Sequence, residues 1–272
     1  MNDSGTSFQN IEHIEAVAWH DMYKAAPVAY ASENALNTTL IGDGACLSHG
    51  QLVVTELARV VGVSSSAYID EAIQWMQENC PAGWSLQIPR VQENAAIRGL
   101  LEDLGYEAKG NGWAKFRHAP TTVEMPAIPH LYSRVAEQKD AAVFGQLVCT
   151  GFGFPASMGQ WFSELVGRPN WSVLIAYWDD VPVGCGAIYS AAGYSWMGVD
   201  TTLPEFRGRG VQSHLIRARL QHGMALGSNE FTAETGQPDA GQEAQHRSFS
   251  NYVRAGFARA YVRLNYVKST GA

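Results

Sequence analysis

The 272-residue sequence predicts an α/β protein. Three observations predict it. Strand-length and helix-length apolar patterns alternate through the second half of the chain. A glycine- and arginine-rich segment, Leu203-Pro204-Glu205-Phe206-Arg207-Gly208-Arg209-Gly210-Val211-Gln212, joins a strand pattern to a helix pattern. A stretch with three prolines and little periodicity, residues 117–130, divides the chain into halves of domain size.

The boundaries expected from this are a first domain over 1–118, a linker over 119–130 and a second domain over 131–272. In the first half, Gly42-Asp43-Gly44 reads as a hairpin turn. Residues 52–63 are strand-like, 67–77 helical and 84–88 strand-like. A helix over 94–104 stops at Gly105, followed by the strand Trp113-Ala114-Lys115-Phe116. In the second half, helices are expected over 141–151 and 157–166, with Ser157 as an N-cap. Strands over 171–177 and 183–189 flank the turn Trp178-Asp179-Asp180-Val181-Pro182. A strand over 194–201, the glycine loop, a helix over 213–225 and a strand over 230–234 come next. The chain closes with a helix that ends before Gly256 and a strand over 260–267.

Composition narrows the class. Hydrophobic residues make up 46% and charged residues 17%, enough apolar material for sizeable cores. No apolar run approaches the roughly 18 residues of a membrane span. Residues 1–10 are polar, lack a basic region followed by an apolar stretch, and read as a short tail rather than a signal peptide. A net charge of −7 argues against a nucleic-acid groove. The four cysteines form no Cys-x-x-Cys pair, which points to reduced thiols in the cytoplasm. The eight histidines form no ligand cluster, so no metal site is expected, and His214 reads as a packing or surface residue.

The glycine loop carries the chemistry. A glycine-rich turn opening a helix is an anion site, because the first helical N–H groups lack backbone partners and the helix dipole adds positive potential. Gly208 and Gly210 allow close approach of a phosphate, and Arg207 and Arg209 add charge-assisted donors. A Walker A loop would need Gly-Lys-Ser/Thr where Gly210-Val211-Gln212 stands. A dinucleotide fingerprint would need a third glycine at Ser213, although Glu230 stands where its acidic residue falls.

The run from Pro204 to Gly210 resembles the acetyl-CoA loop of the GCN5-related N-acetyltransferase (GNAT) family, usually Arg/Gln-x-x-Gly-x-Gly/Ala. It departs from that pattern at Gln212, where a small residue is usual. Tyr252 to Phe257 matches the family's Tyr-x-x-x-Gly-Phe. The resemblance implies tandem GNAT-like domains built on a mixed central sheet flanked by helices, with the second catalytic. Gly62-Val63-Ser64-Ser65-Ser66 stands at the first copy's loop and Leu101 at the tyrosine position, so that copy is expected to have lost cofactor binding. Two unrelated domains are the alternative.

The implied activity is transfer of an acetyl group from acetyl-CoA to a primary amine of a small molecule or peptide, by direct attack in a ternary complex. A monomer or homodimer with no nucleic-acid or membrane partner is expected. A non-catalytic acyl-CoA-binding or sensing module is the alternative. The resemblance places the cofactor on Thr201, Thr202, Leu203, Arg207, Gly208, Arg209, Gly210, Val211, Gln212, Ser213 and Asn251. It makes Tyr252 the donor of a proton to the departing thiolate. Ser248 and Asn251 either bond the pantetheine arm or cap the helix. Glu234 is the first candidate base and Asp200 the second, because a protonated amine must lose a proton before attack. Phe152, Phe154, Trp161 and Phe162 stand near the expected acceptor entrance, as core or as a wall for an apolar or cationic amine.

Overall fold

The computed structural model describes residues 4–50, 57–81 and 83–269. The first half comprises α1 (Ser4–Lys24), α2 (Val28–Glu33), β1 (Leu36–Ile41), β2 (Gly44–His49), β3 (Arg59–Val61), α3 (Ile69–Asn79), β4 (Ser85–Pro89), α4 (Ala95–Asp103) and β5 (Tyr106–His118). The second comprises β6 (Leu131–Val135), α5 (Ala141–Phe152), α6 (Gly159–Ser163), β7 (Trp171–Trp178), β8 (Val181–Ala191), β9 (Tyr194–Thr202), α7 (Val211–Ala225), β10 (Glu230–Gly236), α8 (Arg247–Arg254) and β11 (Ala258–Lys268). No regular element covers residues 119–130.

The expected elements are present, with four differences. Helix α1 starts at Ser4, where the sequence suggests a tail through residue 10. Of the strand expected over 52–63, β3 is seen, and residues 52–56 lie outside the described residues. Ser157 does not cap a helix, because a 3₁₀ turn with Pro155 at its N-cap leads directly into a short α6. Strand β5 is three times the expected length. It absorbs Gly110 and Gly112, both at positive φ, in a register shift against β11 between Arg263 and Asn265. A Cβ on Gly112 would stand 1.9 Å from the Arg263 carbonyl oxygen, so only glycine fits there.

All eleven strands of the described residues form one sheet, in the order β1-β2-β3-β4-β11-β5-β10-β9-β8-β7-β6. The two halves repeat the same pattern on either side of the central β11–β5 pair. Parallel β3–β4 answers parallel β9–β10, and antiparallel β2–β3 answers antiparallel β8–β9. Each half's last strand is exchanged: β5 lies against β10, and β11 lies against β4. Helices α1, α2, α5 and α6 share one continuous core on one face. On the other face, α7 and α8 cover one core, and α3 and α4 another.

Charge is buried at the seam between the halves. Glu15 of α1 bonds Lys115 of β5 and Arg263 of β11, all fully buried. Arg263 also bonds Glu12 at 3.1 Å and Gln87 at 3.1 Å. Arg59 of β3 bonds Gln87 at 2.8 Å and Glu234 of β10 at 3.1 Å, with its guanidinium 4.4 Å over the Trp19 ring. Three carboxylates therefore meet three cations across α1 and four strands, which is how charge survives away from water.

Candidate active site

Strands β9 and β10 pair only from Tyr194–Met197 to Glu230–Ala233. Beyond that they diverge, because β10 stays on β5 through Gly236 while β9 stays on β8 through Thr202. The divergence starts at a bulge: Val199 and Asp200 together face only Gly186 in the register. Val199 sits at φ +52, a left-handed conformation that is strained for a β-branched side chain.

Two cavities open along this fork. One, of about 630 Å³, lies over the N-terminus of α7. It brings together Thr201, Thr202, Arg207, Gly208, Gly210, Val211, Gln212, Ser213 and Asn251, nine of the residues at which the resemblance places the cofactor. No side chain caps α7 among the described residues, and its N-cap, Gly210, is at φ +87. A Cβ on Gly208 would meet nothing within 4 Å, so the loop leaves open space where an anion would approach.

Two expected cofactor ligands stand elsewhere. Arg209 stacks over Phe206 at 5.2 Å and Trp178 at 5.6 Å, outside the cleft lining, because these rings offer it a face. Leu203 packs against the core shared by α5 and α6. Arg207 remains in the cleft but also braces the loop, donating to the carbonyls of Thr202 at 3.1 Å and Gly151 at 3.2 Å. Sequence reasoning missed Arg247 and Arg254, which line the opposite wall from α8. With Asn251 they recur at i, i+4 and i+7, a helical-face signal that was available in the sequence.

The second cavity, of about 580 Å³, lies on the other side of the fork and shares Phe152, Asp200, Gln212 and Ser248 with the first. Phe152, Phe154 and Phe162 line it as a stacked row, with ring centroids 5.4 and 6.2 Å apart. Trp161 is instead core, fully buried with its indole N–H on the Met22 carbonyl at 2.7 Å.

Asp200 occupies the junction. It accepts from Tyr252 Oη at 3.2 Å and Gln212 Nε2 at 3.1 Å, and lies 3.5 Å from buried Arg219. A Cβ on Gly186 would stand 2.8 Å from that guanidinium, so the glycine makes room for it. Gln212, where the sequence departs from the family pattern, also donates to Ser248 at 3.0 Å and accepts from Asn251 at 2.7 Å, tying β9 to α8. Asn251 and Ser248 thus bond the cleft's own side chains, and neither caps α8, a role taken by His246.

Tyr252 is buried between Phe116 and Phe257 and lines neither cavity; only its hydroxyl reaches the junction, on Asp200. Burial pushes its pKa well up, and the Asp200 carboxylate adds to that against Arg219, so the phenol stays protonated. Glu234 lines the second cavity but is a poor base. Burial pushes its pKa up, yet Arg59, Arg263 and Lys115 outweigh this and hold it at about 2. A carboxylate that weakly basic holds a proton poorly near neutral pH. His214, half-buried, pairs with Ser133 at 3.0 Å and joins α7 to β6.

At the first copy's loop, polar groups are already paired with the chain's own side chains. The Ser64 N–H already donates to Asp43 at 3.1 Å, and the Ser64 hydroxyl bonds the same carboxylate. Ser65 accepts from the Ala67 N–H at 3.3 Å. Leu101 is core.

No family model and no curated protein sequence matches the chain. Solved structures do. A GCN5-related N-acetyltransferase from Kribbella flavida covers 90% of this chain and 95% of its own, at TM-score 0.61 and 16% identity. One from Sphaerobacter thermophilus covers 84% and 82%, at TM-score 0.60 and 16% identity. A tandem GNAT protein from the clavulanic acid biosynthesis pathway covers 100% of this chain and 97% of its own, at TM-score 0.57 and 13% identity. The chain therefore has the GNAT fold, in its tandem form. Among the described residues, no helix is long and apolar enough to cross a membrane.

Proposed function

We propose that this protein transfers an acetyl group from acetyl-CoA to a primary amine of a small molecule or peptide, with residues 131–272 as the catalytic copy and 1–118 as a copy without a cofactor site. The observation that carries this is the meeting of two cavities at Asp200. One suits a polyanion and the other an apolar guest, as a two-substrate transfer requires. The α7 N-terminus with Arg207, Arg247 and Arg254 would hold the CoA phosphates. Backbone N–H groups on the bulged edge of β9 would meet the developing oxyanion.

Asp200 takes the base role in place of Glu234, accepting a proton from the incoming ammonium directly or through water. Tyr252 gives its proton to the thiolate as the C–S bond breaks. The hydrogen bond between them then returns the proton from the Asp200 carboxyl to the tyrosinate and resets the site. The product amide sheds its remaining proton to solvent.

Free-thiol release from acetyl-CoA with a panel of amines tests the reading, alongside calorimetry on the whole chain. Turnover and one acetyl-CoA per chain are expected. Two equivalent sites would contradict the assignment of the first copy, whose loop amide is taken by Asp43.

One observation favours a non-catalytic acyl-CoA sensor instead: Tyr252 lines neither cavity. Tyr252→Phe separates the readings. As a proton donor, its loss should lower kcat by about 10²-fold or more while acetyl-CoA affinity is kept. An unchanged kcat, where chemistry limits the rate, makes Tyr252 a core aromatic only.

A further inference from the structure

The cavity beside the cofactor cleft is walled from both halves of the chain. Trp19, Arg59 and Trp113 come from the first half, and Phe154, Phe162 and Trp196 from the second. We propose that its occupant is an arylalkylamine carrying no carboxylate beside the amine, and that the first copy is retained as the wall that selects it. This rests on the acyl-transfer reading above.

Two features carry the class. First, the walls are aromatic faces, including the stacked Phe152-Phe154-Phe162 row, which suit a flat apolar body and an adjacent ammonium. The volume, about 580 Å³, is in the range of small-molecule sites. Second, charge is unevenly placed. The ionisable groups lining the cavity include two carboxylates, Asp200 and Glu234, against one guanidinium, Arg59. Arg59 is already engaged by Glu234 at 3.1 Å and Glu15 at 3.7 Å. Among the described residues the other lining titratable group, His246, uses Nδ1 to accept the Phe249 N–H at 3.2 Å, capping α8. A carboxylate on the guest would thus be desolvated beside two others, with its one cation shared; an ammonium would find Asp200 at the junction with the cofactor cleft.

The test compares two amines that differ by one carboxylate, 4-hydroxyphenylethylamine and tyrosine, with putrescine as a non-aromatic cation. Free-thiol release from acetyl-CoA should give 4-hydroxyphenylethylamine a kcat/KM about tenfold or more above both others. Equal or better use of tyrosine or putrescine overturns the proposal. Trp113→Leu, on the first-half wall, should raise the KM for 4-hydroxyphenylethylamine about tenfold with acetyl-CoA affinity unchanged. Trp113→Phe, a smaller change at the same first-half position, gives the same reading should Trp113→Leu fail to fold. An unchanged KM in the folded variant overturns the assignment of the wall.

Calorimetric titration of the amines into the acetyl-CoA-saturated parent keeps this distinct from the acyl-transfer reading. Selective binding of 4-hydroxyphenylethylamine without thiol release defeats acyl transfer but supports the ligand class. Absence of binding together with absence of turnover overturns the class as well.

Discussion

Gly208→Asp is expected to weaken acetyl-CoA binding by about 10²-fold or more, close to 3 kcal/mol. Gly208 has φ +80, and its side-chain direction points into open space in the cleft. Aspartate tolerates the left-handed conformation better than most residues, so the fold should survive. It would place a carboxylate where the pyrophosphate must approach the α7 amides, against the charge those amides and the arginines favour. Gly208→Asn adds nearly the same bulk without the charge and should cost about tenfold. The difference between the two isolates electrostatics from obstruction. Gly210 is a less clean target, because a Cβ there would stand 2.7 Å from Ile128, and a bulky side chain would confound binding with strain. Calorimetry with acetyl-CoA measures all three proteins. If both Gly208 variants bind like the parent, the loop does not hold the phosphates.

The loop was legible because its signal is local: glycines, arginines and a helix start within ten residues. The same holds for the hairpin turns at Gly42-Asp43 and Asp179-Asp180, the latter with both residues at positive φ as a tight two-residue turn requires. Helix α1 was hidden because Glu12 and Glu15 lie on its buried side and interrupt the apolar stripe that would announce it. The strand exchange was hidden because its partners are distant: Trp113 of β5 meets Arg263 of β11, and a pairing of that range leaves no pattern in either segment. Glu234 shows the limit at the site itself. Its sequence neighbourhood suggests a strand-end carboxylate, yet its acidity is set by Arg59, 175 residues earlier, together with Arg263 and Lys115. Asp200 was likewise hidden as the junction of the two cavities, because Gln212, Arg219 and Tyr252, which converge on it, lie 12, 19 and 52 residues away.

The same buried charge gives the largest expected effect on stability. Glu15→Ala removes the carboxylate shared by Lys115 and Arg263 and leaves both cations without it in the interior. Breaking a buried pair by removing one partner costs about 3–5 kcal/mol, far more than truncating a surface glutamate. For a chain of this size that corresponds to a fall in Tm of roughly 10 °C. Glu15→Gln retains hydrogen-bonding capacity without the charge and should fall between Ala and the parent. The network also predicts how stability responds to acid. Glu234 has a folded pKa of about 2, depressed below its ordinary value of 4.5. Its contribution is therefore fully present above the ordinary value and is lost as pH falls through the folded one. Thermal melts across that acid window should show the loss, and Glu234→Gln should flatten it. Arg59 and Glu234 belong to both the network and the acceptor wall, so weakening the seam should raise the acceptor KM before it touches acetyl-CoA affinity. A Glu15→Ala protein that melts with the parent would show that the cations find other partners, and that the exchanged strands rather than the charges join the halves.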